Sequence, residues 1–239
     1  MRTALADAIA RIQSPERSSL DFGSGTGNLT SKLLAAGREV CAADLSPGML
    51  AALSNRFAEA AAKGQLRTAV LSGAFPLPFR DGQFGFVASY SVLHHVPDYL
   101  EAVRELARVV APGGVLFIDH EHNAEHWRSP FVVRLHRLLT MPRYSFGRVW
   151  ARLKAIFGYK EPPLPPPDQR PILEEGDIHI YSDDCIDWGA IREITAAHGF
   201  EELPFRDYLL CVETSRWPIR HMLCRRFATD MGIYVGRKR

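Results

Sequence analysis

Acidic side chains are missing from one long stretch of this sequence. Between Trp127 and Lys160 stand eight basic residues (Arg128, Arg134, Arg137, Arg143, Arg148, Arg152, Lys154 and Lys160) and no Asp or Glu. The 239-residue chain has a net charge of +2, so this segment contributes +8 and the remainder sums to −6. A near-neutral average conceals a basic block in an acidic protein. Cysteine is sparse: Cys41, Cys185, Cys211 and Cys224 form no C-x-x-C pair, which argues against a disulfide scaffold and for reduced thiols in a cytoplasmic protein. No apolar run approaches the ~20 residues of a membrane-spanning helix. The opening Met1-Arg2-Thr3-Ala4-Leu5-Ala6-Asp7 lacks an apolar leader core and carries an acid early, so no secretory signal is expected. What is present, 46% hydrophobic against 23% charged residues, excludes a disordered chain and fits one large domain or a domain with an insertion.

Strand and helix patterns alternate from the start. Ser18-Ser19-Leu20-Asp21-Phe22 reads as a strand and the segment from about Asn28 to Ala36 as a helix closed by Gly37. Glu39 to Asp44 is a second strand. Ser46-Pro47 supplies an N-cap and an N1 proline for a long Ala-rich helix to about Lys63. Strands follow at Leu66 to Leu71, Phe84 to Ser89 and Val115 to Asp119, with a helix at Tyr99 to Val110. Five alternations predict an α/β fold, a doubly wound, Rossmann-like sheet. The pattern breaks after the fifth strand. We divide the chain into a core at 1–120, a helical lid insertion at 121–176 and the C-terminal part of the core sheet at 177–239, where a helix at Asp187 to His198 and strands around Phe200 to Val212 and Met231 to Gly236 are expected.

Leu20-Asp21-Phe22-Gly23-Ser24-Gly25-Thr26-Gly27 carries the strongest chemical signal. Glycines between a strand and a helix let the backbone turn tightly and approach a ligand, while the helix N-terminus offers unpaired N–H groups. Asp44, ending the next strand, is placed to accept from ribose hydroxyls. The third glycine comes one residue early for the dinucleotide G-x-G-x-x-G pattern, whose sixth position here is Asn28. Asp21 would repel a pyrophosphate and suits a ligand bearing an ammonium or sulfonium group.

These residues resemble motif I of the class I S-adenosylmethionine-dependent methyltransferases. The resemblance continues through Asp44-Leu45-Ser46-Pro47-Gly48-Met49-Leu50, Pro76 to Phe84, Val92-Leu93-His94-His95-Val96 and Leu106 to Gly114. It points to the small-molecule branch that includes ubiquinone/menaquinone biosynthesis methyltransferases and covers roughly residues 18–119. It implies a seven-stranded sheet, S-adenosyl-L-methionine as cofactor, and a small-molecule acceptor. By the same resemblance Gly23, Gly25 and Gly27 contact the methionine and ribose parts, Asp21 lies near the methionine amine, Asp44 binds the ribose, Leu45 packs on adenine, and Ser89 offers its carbonyl to the amine. Two positions depart from the family pattern. The acid expected after the third strand is replaced by Gly73, followed by Ala74, and the Phe-Asp pair opening the fourth strand reads Phe84-Gly85.

If the acceptor must lose a proton, a base at the carboxyl ends of the strands is needed. His94 and His95 follow the fourth strand, and His120, Glu121 and His122 follow the fifth. His94 is the first choice, since related small-molecule enzymes often place a functional histidine there. Strand alternation predicts that His120 and His122 share a face while Glu121 points away. No further ligand completes a metal set, so none is assigned.

In the basic block, Arg134, Arg137, Arg148 and Arg152 alternate with apolar residues in a pattern of two amphipathic helices. A charged, solvated face is the plain explanation. A lid over an anionic or lipid-like acceptor, with peripheral contact to an anionic membrane, is the sharper one. Two other functions compete. The basic stretches suggest a nucleic-acid methyltransferase, but Ser89-Tyr90-Ser91-Val92 stands where an Asn/Asp-Pro-Pro-Tyr motif is expected and no RNA-binding appendage is recognisable. Gly73 and Gly85 suggest a non-catalytic cofactor-binding protein. Oligomeric state is not legible.

Overall fold

A computed structural model describes residues 2–13, 18–122, 180–181, 184–205 and 231–239. The elements are α1 (Arg2–Ile9), β1 (Ser19–Phe22), α2 (Asn28–Ala35), β2 (Val40–Asp44), α3 (Pro47–Arg56), α4 (Ala58–Ala62), β3 (Leu66–Val70), β4 (Phe84–Tyr90), a 3₁₀ turn (Leu93–His95), α5 (Tyr99–Val109), β5 (Val110–His122), β6 (Ile180–Tyr181), β7 (Asp184–Cys185), α6 (Trp188–Ala197), β8 (Phe200–Glu202) and β9 (Met231–Lys238).

Seven strands form one sheet in the order β3-β2-β1-β4-β5-β9-β8. The first five are parallel, and β9 runs antiparallel between β5 and β8. The doubly wound, Rossmann-like expectation therefore holds, with a mixed edge. The central strands read as apolar runs because both their faces are covered. Leu20, Phe22, Cys41, Ala43, Val87, Leu116 and Ile118 pack with Val103 and Leu106 of α5 and Ile191 of α6 on one face. The alternate residues Val40, Ala42, Phe86, Ala88, Val115 and Phe117 pack with Leu5 of α1, Leu29 and Leu33 of α2, and Leu50 and Leu53 of α3 on the other. Phe84 and Phe86 lie on opposite faces although two residues apart. A register irregularity between them, at Gly85, shifts the strand's parity.

The Ser46-Pro47 cap is the one the sequence announces, and the structure adds two more, at Asp98 and Asp187. Ser46 Oγ accepts from Met49 N at 3.3 Å with Pro47 at N1, Asp98 Oδ1 accepts from Glu101 N at 3.1 Å, and Asp187 Oδ1 accepts from Gly189 N at 2.8 Å. The long helix expected to reach Lys63 is broken at Phe57, which leaves helical geometry at φ −116°, ψ 35°. The break turns the Phe57 ring under the glycine loop. A Cβ at Gly27 would lie 2.6 Å from its Cε2, and Arg56 Nη1 donates to Thr26 O at 3.1 Å.

Two short strands, β6 and β7, pair antiparallel before α6, a hairpin that the sequence reading omits. No helix among the described residues is long and apolar enough to cross a membrane. Beyond Glu121 and His122, which extend β5, the lid assigned to 121–176 lies outside the described residues, as does its basic block.

Candidate active site

The parallel strands reverse order between β1 and β4, the switch point at which open α/β sheets form a ligand crevice outside the carboxyl ends of their strands. The glycine loop leaves β1 at this place. Gly23, Gly25 and Gly27 all hold positive φ, at 69°, 49° and 89°. Their surroundings differ. A Cβ at Gly23 would meet Val92 at 2.5 Å, so that glycine lets the loop pack on the segment after β4. A Cβ at Gly25 would meet nothing within 4 Å, so that glycine faces open space. Gly23 N and Ser24 N donate to Ala43 O at 2.8 and 3.1 Å, fastening the loop to β2.

Asp44 ends β2 beside this loop. Its Oδ2 accepts from Gly25 N at 2.7 Å and its Oδ1 from Ser46 N at 2.9 Å. One carboxylate thus ties the loop to the start of α3. Leu45 follows it, 61% exposed, with Met49 46% exposed nearby on α3. Exposed apolar side chains of that size beside a polar crevice suit a flat aromatic ligand. Gly73, with φ 81°, approaches Leu45: a Cβ there would lie 3.5 Å from Leu45 Cδ2. Ala74 is exposed, and its N donates to Ser72 Oγ at 3.3 Å.

Asp21 lies beneath the loop, 1% exposed, and its Oδ2 accepts from Thr30 Oγ1 of α2 at 2.5 Å. Burial pushes its carboxyl up to about 7, against which the Thr30 hydrogen bonds pull down. Ser89 pairs with Phe22 across β1 and β4, which brings it beside the loop. Among the described residues, Ser24 Oγ and Ser89 Oγ are buried without a hydrogen-bond partner. Such groups are costly to leave unpaired, and here two of them border the crevice. The chemistry of the set fits S-adenosylmethionine: a carboxylate for ribose, an apolar surface for adenine, open space at Gly25, and a buried acid and hydroxyls for an amino-acid moiety. The structure thus gathers Asp21, Gly23, Gly25, Gly27, Asp44, Leu45 and Ser89 at one crevice, with Ala74 on the loop that approaches Leu45.

The histidines separate into two groups. His94 is 6% exposed, and its Nδ1 lies 2.6 Å from Oε2 of Glu121, which is fully buried. Glu121 Oε1 also accepts from Val92 N and Leu93 N, both at 2.8 Å, and Oε2 from His94 N at 3.3 Å. The His95 ring centroid lies 4.1 Å and the His122 ring centroid 6.2 Å from that of His94. His95 is exposed. His120 instead stacks on Tyr90 at 4.8 Å, and Lys32 of α2 sits 5.6 Å over the same Tyr90 ring.

Strand alternation thus gives the wrong directions after Asp119. His120 and His122 do not converge, and Glu121 turns toward His94 rather than away. The cause is local: His120 adopts φ 68°, and the β5–β9 register shifts between Asp119 and Glu121. This bulge inserts one residue, so the parity of every later side chain reverses. Glu121 is the residue that sequence reasoning missed as a partner. Its one signal was an acid placed directly after an apolar strand, and strand parity misdirected it.

Comparison with known proteins bears on the family resemblance and the fold. Residues 20–118 match the family model described as "Methyltransferase domain". A demethylmenaquinone methyltransferase of Thermus thermophilus is 40% identical over 112 residues, covering 46% of this chain and 49% of that protein. One from Bacillus velezensis is 39% identical over 146 residues, covering 59% and 58%. The chain spans about half the length of the curated relatives it matches. Among solved structures, an S-adenosylmethionine-dependent methyltransferase from Mesorhizobium loti superposes with a TM-score of 0.59 at 15% identity, over 98% of this chain and 96% of that one. A geranyl diphosphate methyltransferase in complex with S-adenosylmethionine gives 0.58 at 13% identity, covering 100% and 85%. At those identities the likeness is one of fold. Residues 20–118 thus resemble the methyltransferase domain family, and the chain has the fold of solved S-adenosylmethionine-dependent methyltransferases.

Proposed function

We propose that the chain transfers a methyl group from S-adenosylmethionine to a small-molecule acceptor whose reacting atom becomes nucleophilic by losing a proton, with His94 as the base. The buried pair of His94 and Glu121 beside the glycine loop carries this reading. The cofactor supplies an electrophilic methyl carbon on a sulfonium sulfur. In our reading Asp44 holds its ribose, Leu45 and Met49 flank its adenine, and Asp21, Ser24 and Ser89 receive its amino-acid moiety. Gly23, Gly25 and Gly27 let the backbone approach it closely.

The remaining work is positioning and proton removal. A sulfonium needs no acid to leave, so catalysis rests on holding the acceptor in line in a dry site. Glu121 accepts from His94 Nδ1–H, which leaves Nε2 as the ring's lone-pair nitrogen. That nitrogen would take the acceptor's proton, leaving the acceptor atom an electron pair with which to bond the methyl carbon that the cofactor would supply. The acid-free block of eight cations between Trp127 and Lys160 supports an anionic or lipid-like acceptor. The relatives named for demethylmenaquinone make a chemically reduced demethylmenaquinone the first acceptor to try.

The test has two stages. Isothermal titration with S-adenosylmethionine and S-adenosylhomocysteine should show saturable binding, and binding of neither would end the enzyme reading. Methyl-labelled S-adenosylmethionine, incubated with reduced demethylmenaquinone and separately with a host metabolite extract, should then label a low-molecular-weight product. Label found only in macromolecules would refute the small-molecule acceptor.

A further inference from the structure

We infer that Glu121 is a positioning residue that fixes the ring and tautomer of His94, and that the left-handed bulge at His120 exists to deliver Glu121 to that side of the sheet. The inference rests on the reading of His94 as the base, and its test separates the two. Glu121 is fully buried at the end of β5 and has both carboxylate oxygens occupied by donors. Three are successive backbone N–H groups of Val92, Leu93 and His94 at the start of the 3₁₀ turn, and the fourth is the His94 ring. Both oxygens face N–H donors, so the carboxylate acts only as an acceptor and the shared proton belongs to His94 Nδ1. The same contacts fasten the turn whose Val92 packs on Gly23. Glu121 therefore joins the base and the cofactor loop in one rigid unit.

Alternation along a regular strand would have pointed Glu121 to the opposite face. Only the extra residue at His120 prevents this. A non-glycine residue at φ 68° costs free energy, and its neighbour Ser91, whose N donates to Asp119 O at 3.0 Å, holds φ 60°. Two such residues at the ends of adjacent strands mark a place where backbone regularity gives way to the direction of a side chain. His120 itself stacks on Tyr90, not on His94, so in this reading its backbone conformation matters and its imidazole does not.

The experiment reads the tautomer directly and needs no acceptor. Nitrogen-15 histidine-labelled protein is examined by long-range proton–nitrogen correlation with S-adenosylmethionine present, and the His94 signals are assigned by their loss in His94→Asn. The wild type should show the proton on Nδ1 of His94. Glu121→Gln should switch it to Nε2, since the amide nitrogen replacing Oε2 donates where a carboxylate accepts. His120→Gly, which adopts positive φ freely, should keep the wild-type pattern. His120→Val, which resists it, should lose the Nδ1–H signal. A wild-type ring protonated on Nε2 overturns the inference even if Glu121→Gln fails to fold. So does a His120→Val protein with an unchanged pattern. If the tautomer behaves as stated while His94→Asn leaves methyl transfer intact, the positioning role stands and the assignment of the base falls.

Discussion

His94 Nδ1 sits 2.6 Å from Glu121 Oε2, joining residues that are 27 positions apart in sequence. The pair is sealed from solvent and adjoins the segment on which the glycine loop packs. On an exposed surface such a hydrogen bond would contribute little. Here it is desolvated, and removing either partner leaves the other buried without compensation. A charge so held orients an imidazole well, because its own position is set by three backbone donors.

His94→Asn removes the imidazole at similar volume. Methyl transfer to the accepted substrate should fall by about 10²–10⁴-fold, the usual worth of a positioned base, while cofactor affinity changes little. Initial rates and isothermal titration check both halves. A comparable loss in the affinity for S-adenosylmethionine would mean that the residue acts through the loop instead.

Asp21 is a pH-sensitive element. Burial raises its carboxyl to about 7, whereas in the unfolded chain it titrates near 3.8. The folded form therefore holds a proton that the unfolded chain has released, and stability from this group is present below about pH 4 and lost as pH rises through 7. The Asp21→Asn variant should be more stable than wild type at pH 8 by a few kcal/mol, with the difference vanishing toward pH 4. Thermal melts across that range test the sign. The same variant should bind the cationic cofactor at least 10-fold more weakly, because the charge that favours the ligand is the one that costs stability.

Ala74 follows Gly73, the position at which the family resemblance implies an acid for the adenine amine. Ala74→Asp should tighten S-adenosylmethionine binding by about 1 kcal/mol, or about fivefold, through one added hydrogen bond. Gly73→Asp should do worse, since φ is 81° there. Titration calorimetry of both variants distinguishes them.

Arg108 closes the loop between β3 and β4 onto α5. It donates to Glu105 Oε1 and Oε2 at 2.8 and 2.7 Å, to Asp81 Oδ1 at 2.6 Å, and to the carbonyls of Phe79 and Leu77 at 2.8 and 3.2 Å. Glu105 is buried, accepts from Leu77 N at 2.7 Å, and is held below the usual carboxylate range chiefly by Arg108. Arg108→Ala should destabilise the fold by about 1–3 kcal/mol, the penalty for an unpaired buried group. Urea denaturation measures it, and an unchanged midpoint would contradict the network.

Local patterns carried the core of this fold. Apolar runs between Gly, Pro and Ser punctuation gave the five parallel strands, and Ser46-Pro47 marked a helix start that the structure retains. The glycine loop was equally legible, because positive φ at Gly23, Gly25 and Gly27 is a demand on single residues and shows in residue type. The two-segment helix was not. Ala-rich sequence favours continuity across Phe57, and its break is decided by the ring's place under Gly27, a contact between elements.

Residue types and their spacing specify the sheet, the loop, the acid at the end of β2 and the histidines after β4 and β5. Which of those histidines meets an acid depends on contacts between strands distant in the chain. Side-chain direction along a strand follows strict parity, and one residue in a left-handed conformation reverses it. His120 bears no glycine-like mark of that role. The bulge is fixed by the pairing of β5 with β9, two strands more than a hundred residues apart in the chain, and no reading of neighbours along the sequence could place it.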